Sequence, residues 1–421
     1  MVEVQLPKYL DDNAIIKPSQ YGFRKNYCTG RAIGDLVDGI SCALDRSDKA
    51  IGIFCDLSKA FDCVNHEILL TKLKTIGIDN IELKWFISYL NSRKQRININ
   101  KIGQNFKSEW GEVQCGVPQG SILGPSLFII YVNDLSTITY MNMYQYADDT
   151  TLICTGKDEM KKIVTREMHS LQDWFLVNGL SINIAKTKFM EFKSSRGTWL
   201  GNISFDHCNL LFGDSVTFLG VEVDSRLNWQ IHIQNLSKKL SSIVYSLGII
   251  KHSTNFNTQL TVYHAYFSSQ LTYAILVWGC SSNTETIFKI QKRAVRVLAG
   301  VPPRTSCKHI FVNLKILTFY SHYILESSCF VHSNLQSFLA RQPDHKHDTR
   351  FRDRIKPLKH RLKLFERSPQ FMAPKVYNSL PTAFKQIICP LKFRNTLRKW
   401  LEAKAFYSVQ EFFDDVERWA M

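Results

Sequence analysis

No apolar run in this chain approaches the ~20 residues that a membrane-spanning helix requires, so a helical membrane protein is excluded. Its start, Met1-Val-Glu-Val-Gln-Leu-Pro7, lacks the basic-then-apolar pattern of a secretory leader. Eleven cysteines are present, at 28, 42, 55, 63, 115, 154, 208, 280, 307, 329 and 389, yet no two form a Cys-x-x-Cys pair. That absence removes a zinc knuckle and a disulfide framework, and leaves reduced thiols in an intracellular protein as the simple inference. Internal repeats and low-complexity tracts are also missing, which excludes repeat arrays and linker-like tails. Acids are scarce relative to bases.

What is there builds on that imbalance. Asp and Glu number 37 against 53 Lys and Arg, a net charge of +16, which favours a polyanionic partner and most simply nucleic acid. The bases concentrate late, with ten Lys/Arg against four acids between 341 and 367. A stretch like that suits a phosphate backbone, although a solvated polar face accounts for it equally. With 421 residues and 45% hydrophobic content the chain can bury a large core and should form two or three domains.

The chemistry centres on Tyr146-Ala-Asp-Asp149. An apolar β-rich run, Met141 to Tyr146, meets an acidic pair and then a second such run, Thr150 to Cys154, which is how a tight hairpin reads. Alone, an Asp-Asp pair is as well explained by a solvated turn. A third carboxylate, Asp56, closes another apolar run, Ala50 to Cys55, at a strand exit where α/β architectures place ligands. Adjacent carboxylates repel unless a cation neutralises them, and hard divalent ions take carboxylates plus substrate phosphates. Asp56, Asp148 and Asp149 are therefore expected to converge on two metal ions about 3.5–4 Å apart, an arrangement suited to phosphoryl transfer.

Other segments support that reading in chain order. Gln20-Tyr-Gly-Phe-Arg24 precedes a predicted helix with Ile33, Leu36, Val37 and Ile40 on one face, and Arg24 is a candidate for a phosphate or a base. After Asp56 a helix is predicted to Ile76, its stripe being Val64, Ile68, Leu69, Leu73 and Ile76, with Gly77 as its cap. Phe61 fits either beside an incoming nucleotide or in the core, and Asp62 reads as a structural acceptor. A helix over 81–90 and a basic-edged hairpin over 97–113, turning near Gly103, come next. In Gly116-Val-Pro-Gln-Gly-Ser-Ile-Leu-Gly-Pro125 the glycines permit close approach of a ligand, exposed amides suit phosphate oxygens, and Gln119 with Gly120 suit a deoxynucleotide. A helix over 158–178 leads to a turn where Lys186 or Lys188 is placed as a general acid. Val216–Val223 reads as a strand pair bent at Gly220, and the rest is helical, including one helix from Phe393 to Phe413.

Taken in order, several of these stretches resemble the reverse transcriptases of non-LTR (LINE-type) retrotransposons, jockey-like elements especially. They are Gln20-Tyr-Gly-Phe-Arg24, Phe54-Cys-Asp-Leu-Ser-Lys-Ala-Phe-Asp62, the Gly116–Pro125 loop, Tyr146-Ala-Asp-Asp149, Asn178-Gly-Leu-Ser-Ile-Asn183 and Phe218-Leu-Gly220. Tyr273-Ala-Ile-Leu-Val-Trp-Gly279 and Ile290-Gln-Lys-Arg-Ala294 extend the resemblance. It implies an α+β right-hand polymerase with an antiparallel-sheet palm flanked by helices. Partial fingers would occupy 1–49, the palm 50–225 with finger insertions near 80–115, a helical thumb-like region 226–300, and a basic helical C-terminal region 301–421. Asp56, Asp148, Asp149 and the Leu57 carbonyl match its metal ligands, for two Mg²⁺ ions with Mn²⁺ as a substitute. Phe61 matches the gate against a ribose 2′-OH. Arg24, Gln119, Gly120 and Tyr146 fall in dNTP- or template-binding motifs, Lys186 in the proton-donor segment, and Phe218, Leu219 and Gly220 in the primer grip. The partners implied are an RNA template, a DNA primer and dNTPs, with no membrane and no small-molecule cofactor.

Only about twenty residues precede Tyr21, where the resemblance implies more fingers sequence and an endonuclease, so target nicking is not expected of this stretch. Two other readings stand beside an RNA-directed DNA polymerase. A bulky Phe61 argues against an RNA-dependent RNA polymerase, and an intact acidic triad argues against a catalytically weak or inactive nucleic-acid-binding remnant.

Overall fold

The computed structural model describes residues 2–101, 104–183, 185–193, 204–205, 208–209, 211–340 and 355–420. Gly103 and the first half of the basic stretch, 341–354, lie outside the described residues. The chain divides into two compact units, Met1–Ala32 with Asp48–Asp214, and Ile33–Ser47 with Ser215–Met421. Both mix helix with predominantly antiparallel strands, an α+β architecture.

The opening segment is helix α1 (Val2–Asp12). Leu6 and Leu10 sit one turn apart and both bury, which fixes its inward face. Helix α2 (Thr29–Asp45) buries Ile33, Leu36, Val37 and Ile40, as its periodicity predicts. Strand β1 (Lys49–Cys55) is central to a five-stranded sheet, and its near-continuous apolar sequence fits a strand flanked on both edges.

Between β1 and the next sheet strand lie the elements of the predicted insertion. Helix α3 (His66–Thr75) begins later than its apolar stripe suggests. Val64 is buried ahead of it, while the Asn65 side chain accepts from the amides of Glu67 and Ile68 at 2.9 and 3.1 Å and so caps the first turn. Helix α4 (Asn80–Leu90) leads to short strands β2 (Lys94–Gln95), β3 (Asn98–Lys101), β4 (Gln104–Lys107) and β5 (Gly111–Glu112). They pair as β3 with β4 and β2 with β5. Helix α5 (Leu123–Tyr131) is buried along most of its length and stops before Leu135, which falls in a separate turn over Asn133–Thr137. There the Asn133 side chain is held by the backbone of Ile15 and Lys17, at 2.9 Å to each.

The sheet then completes. Strands β6 (Asn142–Tyr146) and β7 (Asp149–Gly156) form a hairpin, α6 (Met160–Val177) crosses back, and β8 (Lys188–Phe192) and β9 (Leu211–Phe212) follow. The order is β9-β8-β1-β7-β6, antiparallel except for the short β9–β8 contact. Tyr131, fully buried, ties the helices beneath it: its hydroxyl donates to the Asn178 carbonyl at 2.5 Å and accepts from the Asn65 amide at 3.3 Å.

In the second unit β10 (Ser215–Phe218) and β11 (Val221–Asp224) turn through Leu219 and Gly220, both left-handed at φ 45° and 80°. Positive φ at both turn residues matches the right-handed twist of a two-residue hairpin. Asp224 then accepts from the amides of Arg226, Asn228 and Trp229 and launches α7 (Gln230–Ile250). The periodic stretch 260–276 is several pieces, broken at Ala274 (φ 50°), where the Trp278 indole donates to the Tyr273 carbonyl at 2.9 Å. Gln291, buried on α8 (Glu285–Ala299), bonds Tyr263, Leu317 and the Phe319 amide that opens α9 (Phe319–Ser333).

The helix expected over Phe393–Phe413 is two, α10 (Pro390–Lys404) and α11 (Val409–Ala420), separated by Ala405 at φ 47°. The break lets Phe406 bury while its carbonyl accepts from the Thr318 hydroxyl at 2.6 Å. Within the described end of the basic stretch, Arg361 donates to the last carbonyls of α2, at Leu44 and Asp45. Among the described residues no helix is long and apolar enough to cross a membrane.

Tyr131→Phe should cost about 1–3 kcal/mol, because it strands a buried carbonyl and leaves an amide short of its acceptor. The urea midpoint falls with the slope unchanged. An unaltered midpoint would show that the hydroxyl holds neither group.

Candidate active site

Strand register assembles the acidic residues. β1 pairs with β7 from Lys49↔Gly156 to Cys55↔Thr150, so Asp56, next after Cys55, emerges beside Asp149. β6 pairs with β7 as far as Tyr146↔Asp149, leaving Ala147 and Asp148 as the two-residue turn. Three carboxylates from distant parts of the sequence thus gather at one end of the sheet. Their mutual influence is visible at Asp149: partial burial, then the charges of Asp148 and Asp56, hold its carboxyl above the usual range.

One cation answers them. Lys186 Nζ lies 3.6 Å from Asp56 Oδ2, both side chains being partly exposed. The segment that carries it is laid along Asp56–Ser58 by backbone bonds. The Asn183 amide donates to the Asp56 carbonyl at 2.8 Å, and the Ser58 amide to the Ser181 carbonyl at 3.1 Å. Leu57, buried between these contacts, bridges to Ile182. Lys188, the alternative general acid, is the first residue of β8 and exposed.

The turn itself is clamped from behind. Gln20 is 1% exposed, and its Oε1 accepts from the Gly22 amide at 2.8 Å and the Ala147 amide at 3.1 Å. Backbone bonds between Tyr21 and Gln145, and between Gln145 and Ser19, both at 2.8 Å, add a short parallel pairing. A Cβ on Gly22 would come within 2.5 Å of the Ala147 nitrogen, so only glycine allows this approach. Arg24, the residue favoured from sequence in this segment, donates to the carbonyls of Lys17 and Gln20 at 3.0 Å and stacks on Tyr27. Its guanidinium secures the clamp. Gln20 was overlooked, and the available signal was the glycine two residues later.

The Gly-rich loop is fastened to the segment after Asp56. The Gly116 and Val117 amides donate to the carbonyls of Val64 and Phe61 at 2.7 and 2.8 Å, and the Gly124 amide donates to Ser121 Oγ. These amides are spent internally, so the expectation of a whole loop of phosphate-binding amides narrows to the exposed tip, Gln119 and Gly120. Gln119 donates to Asp62 Oδ1 at 2.9 Å, in keeping with Asp62 as a structural acceptor. Phe61 is half-buried with its ring stacked on Phe128 at 4.2 Å. Tyr146 is half-buried at the close of β6. Phe218, Leu219 and Gly220 belong to the second unit, where the Leu219 carbonyl accepts from the Tyr273 hydroxyl at 2.6 Å.

Carboxylates gathered at a hairpin tip suit a hard cation rather than a soft one. Among the described residues no three metal-binding side chains are already drawn together around a point, so an ion would have to be met by rotation of Asp56, Asp148 and Asp149.

Residues 1–223, more than half of the chain, match the family described as reverse transcriptase (RNA-dependent DNA polymerase), and the chain belongs to that family. The RNA-directed DNA polymerase from mobile element jockey of Drosophila melanogaster is 24% identical over 321 residues, covering 73% of this chain and 34% of its own length. The probable RNA-directed DNA polymerase from transposon X-element of the same organism is 24% identical over 349 residues, covering 80% and 38%. That from transposon BS is 25% identical over 324 residues, covering 72% and 34%. The chain therefore spans about a third of the length of these relatives, and the LINE-type, jockey-like resemblance of its motifs is borne out by them. Among solved structures, a telomerase from Candida tropicalis with a fragment of telomeric RNA aligns over 99% of this chain and 56% of its own. That match has 13% identity and a TM-score of 0.40, too distant to bear on any residue's role.

The raised Asp149 carboxyl has a consequence for stability. A folded-state value above the unfolded one favours folding only where the group is protonated, and that benefit is lost as pH rises through the folded value. At neutral pH the charged Asp149 carboxyl is a net cost. Asp149→Asn should therefore raise the melting temperature at pH 7, with the gain shrinking as pH falls into the carboxylate range. A variant that melts lower than the parent at pH 7 would show that the three carboxylates do not oppose one another.

Proposed function

We propose that this chain acts as an RNA-directed DNA polymerase, extending a DNA primer 3′-OH with dNTPs along an RNA template. The observation that carries the reading is the β1–β7 register, which sets Asp56 beside the Asp148–Asp149 turn. In this reading the palm, near 50–225, falls mostly in the first unit with its last hairpin, β10–β11, in the second, and partial fingers occupy 1–49. The second supplies a thumb-like region near 226–300 and a basic C-terminal region. The +16 charge would serve the nucleic acid, and an intracellular setting, nuclear or cytoplasmic, follows from the partners.

Asp56, Asp148 and Asp149, with the Leu57 carbonyl, are the residues that would hold two Mg²⁺ ions, or Mn²⁺ in their place. Such ions, when bound, lower the pKa of the primer hydroxyl and stabilise charge in an in-line displacement. Lys186, 3.6 Å from Asp56, is assigned the role of giving its proton to the departing pyrophosphate oxygen. Gln119 and Gly120 offer an exposed contact for the incoming nucleotide, and Tyr146 is assigned a further contact. Phe61, braced by Phe128, presents a ring edge where a ribose 2′-OH would need room. Arg24 contributes by bracing the Gln20 clamp. In the second unit, Phe218, Leu219 and Gly220 are assigned the primer grip.

Primer extension on poly(rA)/oligo(dT) with Mg²⁺ tests the assignment. Incorporation of dTTP is expected, falling on the order of 10²-fold or more in Asp148→Ala, the scale for removing a group that stabilises a transition state. Incorporation of UTP in preference to dTTP would point instead to an RNA polymerase. Retardation of the primer-template without synthesis would leave a binding protein.

The gate role makes a separate prediction. Phe61→Gly should increase ribonucleotide incorporation relative to deoxyribonucleotide by about tenfold or more, the discrimination a pocket gains from one bulky contact. An unchanged sugar preference removes Phe61 from that role.

A further inference from the structure

We propose that α4 and the hairpin after it form a stacking surface for single-stranded nucleic acid, separate from the carboxylate cluster. From Lys84 to Glu112 the sequence carries six basic residues and two acids, Glu109 and Glu112, the latter 3.8 Å from Lys94. Exposed aromatic rings are interleaved with those charges. Trp85 stacks on Tyr89, one helical turn on, with centroids 5.4 Å apart and planes within 9°. Arg93 lies 5.3 Å from the Tyr89 ring, and Arg96 lies 4.5 Å from that of Trp110. The rings remain open to solvent, Trp85 at 41% and Trp110 at 59%.

The hairpin has little reason to exist alone. Every residue of β3 and β4 is exposed, and Ile99 opposite Phe106 shows an apolar pair to water. Two strands without a covering layer are marginally stable, so this surface suits a partner. Beside Trp85 and Tyr89 a hollow of about 500 Å³ is also lined by Val2, Glu3, Ile122 and Leu123.

Charge selects the occupant. A protein partner would meet a run of bases, whereas protein interface cores are depleted in charge. A polyanion offers the complement. Rings alternating with arginines bind bases through their faces and phosphates through their charge. Base faces are free only in unpaired strands, so the surface should prefer single strands to duplex. The inference does not rest on polymerase activity, because binding here needs neither dNTP nor primer.

Fluorescence anisotropy of labelled oligo(U), and of a duplex of equal length, tests this on the whole chain without Mg²⁺ or dNTP. Trp85→Ala/Trp110→Ala should weaken single-strand binding by about tenfold or more, given the stacking energy lost per base. Duplex binding should change by less than about twofold, since phosphate contacts dominate it. Unchanged oligo(U) affinity in a variant with the parent's melting curve overturns the proposal. So does a wild type that sediments as a dimer when the variant is monomeric and still binds oligo(U). Should the variant fail to fold, photocrosslinking of 5-iodouridine oligomers to the wild type decides. Adducts within 85–110 support the surface, and adducts confined to other segments refute it.

Discussion

Three carboxylates that repel one another are held together by backbone hydrogen bonds. The pairing of β1 with β7 runs through seven residue pairs and ends at the cluster, so its accumulated strength opposes the repulsion at its tip. Asp56 cannot withdraw without unzipping a central strand, and Asp148 and Asp149 cannot separate because one is a turn residue and the other the first ladder partner. Lys186, which stands beside Asp56, comes from a segment stitched to Asp56 by its own backbone bond. At least one carboxylate more than this ammonium can answer is left at the sheet's end. Unbalanced charge kept at a functional site is the usual form of the trade between stability and activity.

The turn that carries the acids bears a second cost. Ala147 is buried at φ 59°, a left-handed conformation that costs a residue with a Cβ about 1–2 kcal/mol. Strain of this kind persists only where its surroundings over-determine it. Here they do: Gln20 accepts from the Ala147 amide, Gly22 presses against the Ala147 nitrogen, and Arg24 fastens the loop that bears them both. The Gln20–Arg24 motif, which suggests a substrate contact in sequence, is the mould in which the acidic turn is cast.

These same residues mark how far the sequence could be read. The acidic hairpin was legible because two β-rich runs flank it directly, and the strand ending at Asp56 because its apolar run stops there. Gln20 was not, since its partner Ala147 is 127 residues away and the nearby Gly22 hints only at a close approach. The break at Ala405 was hidden for a related reason. Alanine is the best helix former, and the stop is imposed by Phe406, whose carbonyl meets Thr318 across 88 residues. The late start of α3 was obscured by Val64, which extends the helix's apolar stripe one residue beyond the Asn65 cap. In each case local pattern yielded to a contact that spacing cannot reveal.

The distribution of charge separates binding from chemistry. A chain of net +16 attracts polyanions, yet three acids and one lysine leave the end of the sheet locally negative. A phosphate group approaching that point is repelled by these carboxylates. Counterions released from nucleic acid elsewhere on the protein cannot relieve this, because screening acts over about 8–10 Å at physiological salt. Divalent cations placed between the acids and the phosphates reverse the local sign. On this basis nucleic acid should associate with or without divalent metal, governed by salt, whereas its reactive end can settle among the acids only with metal. Local negative charge within a basic protein is therefore a gate on where the phosphate chain comes to rest.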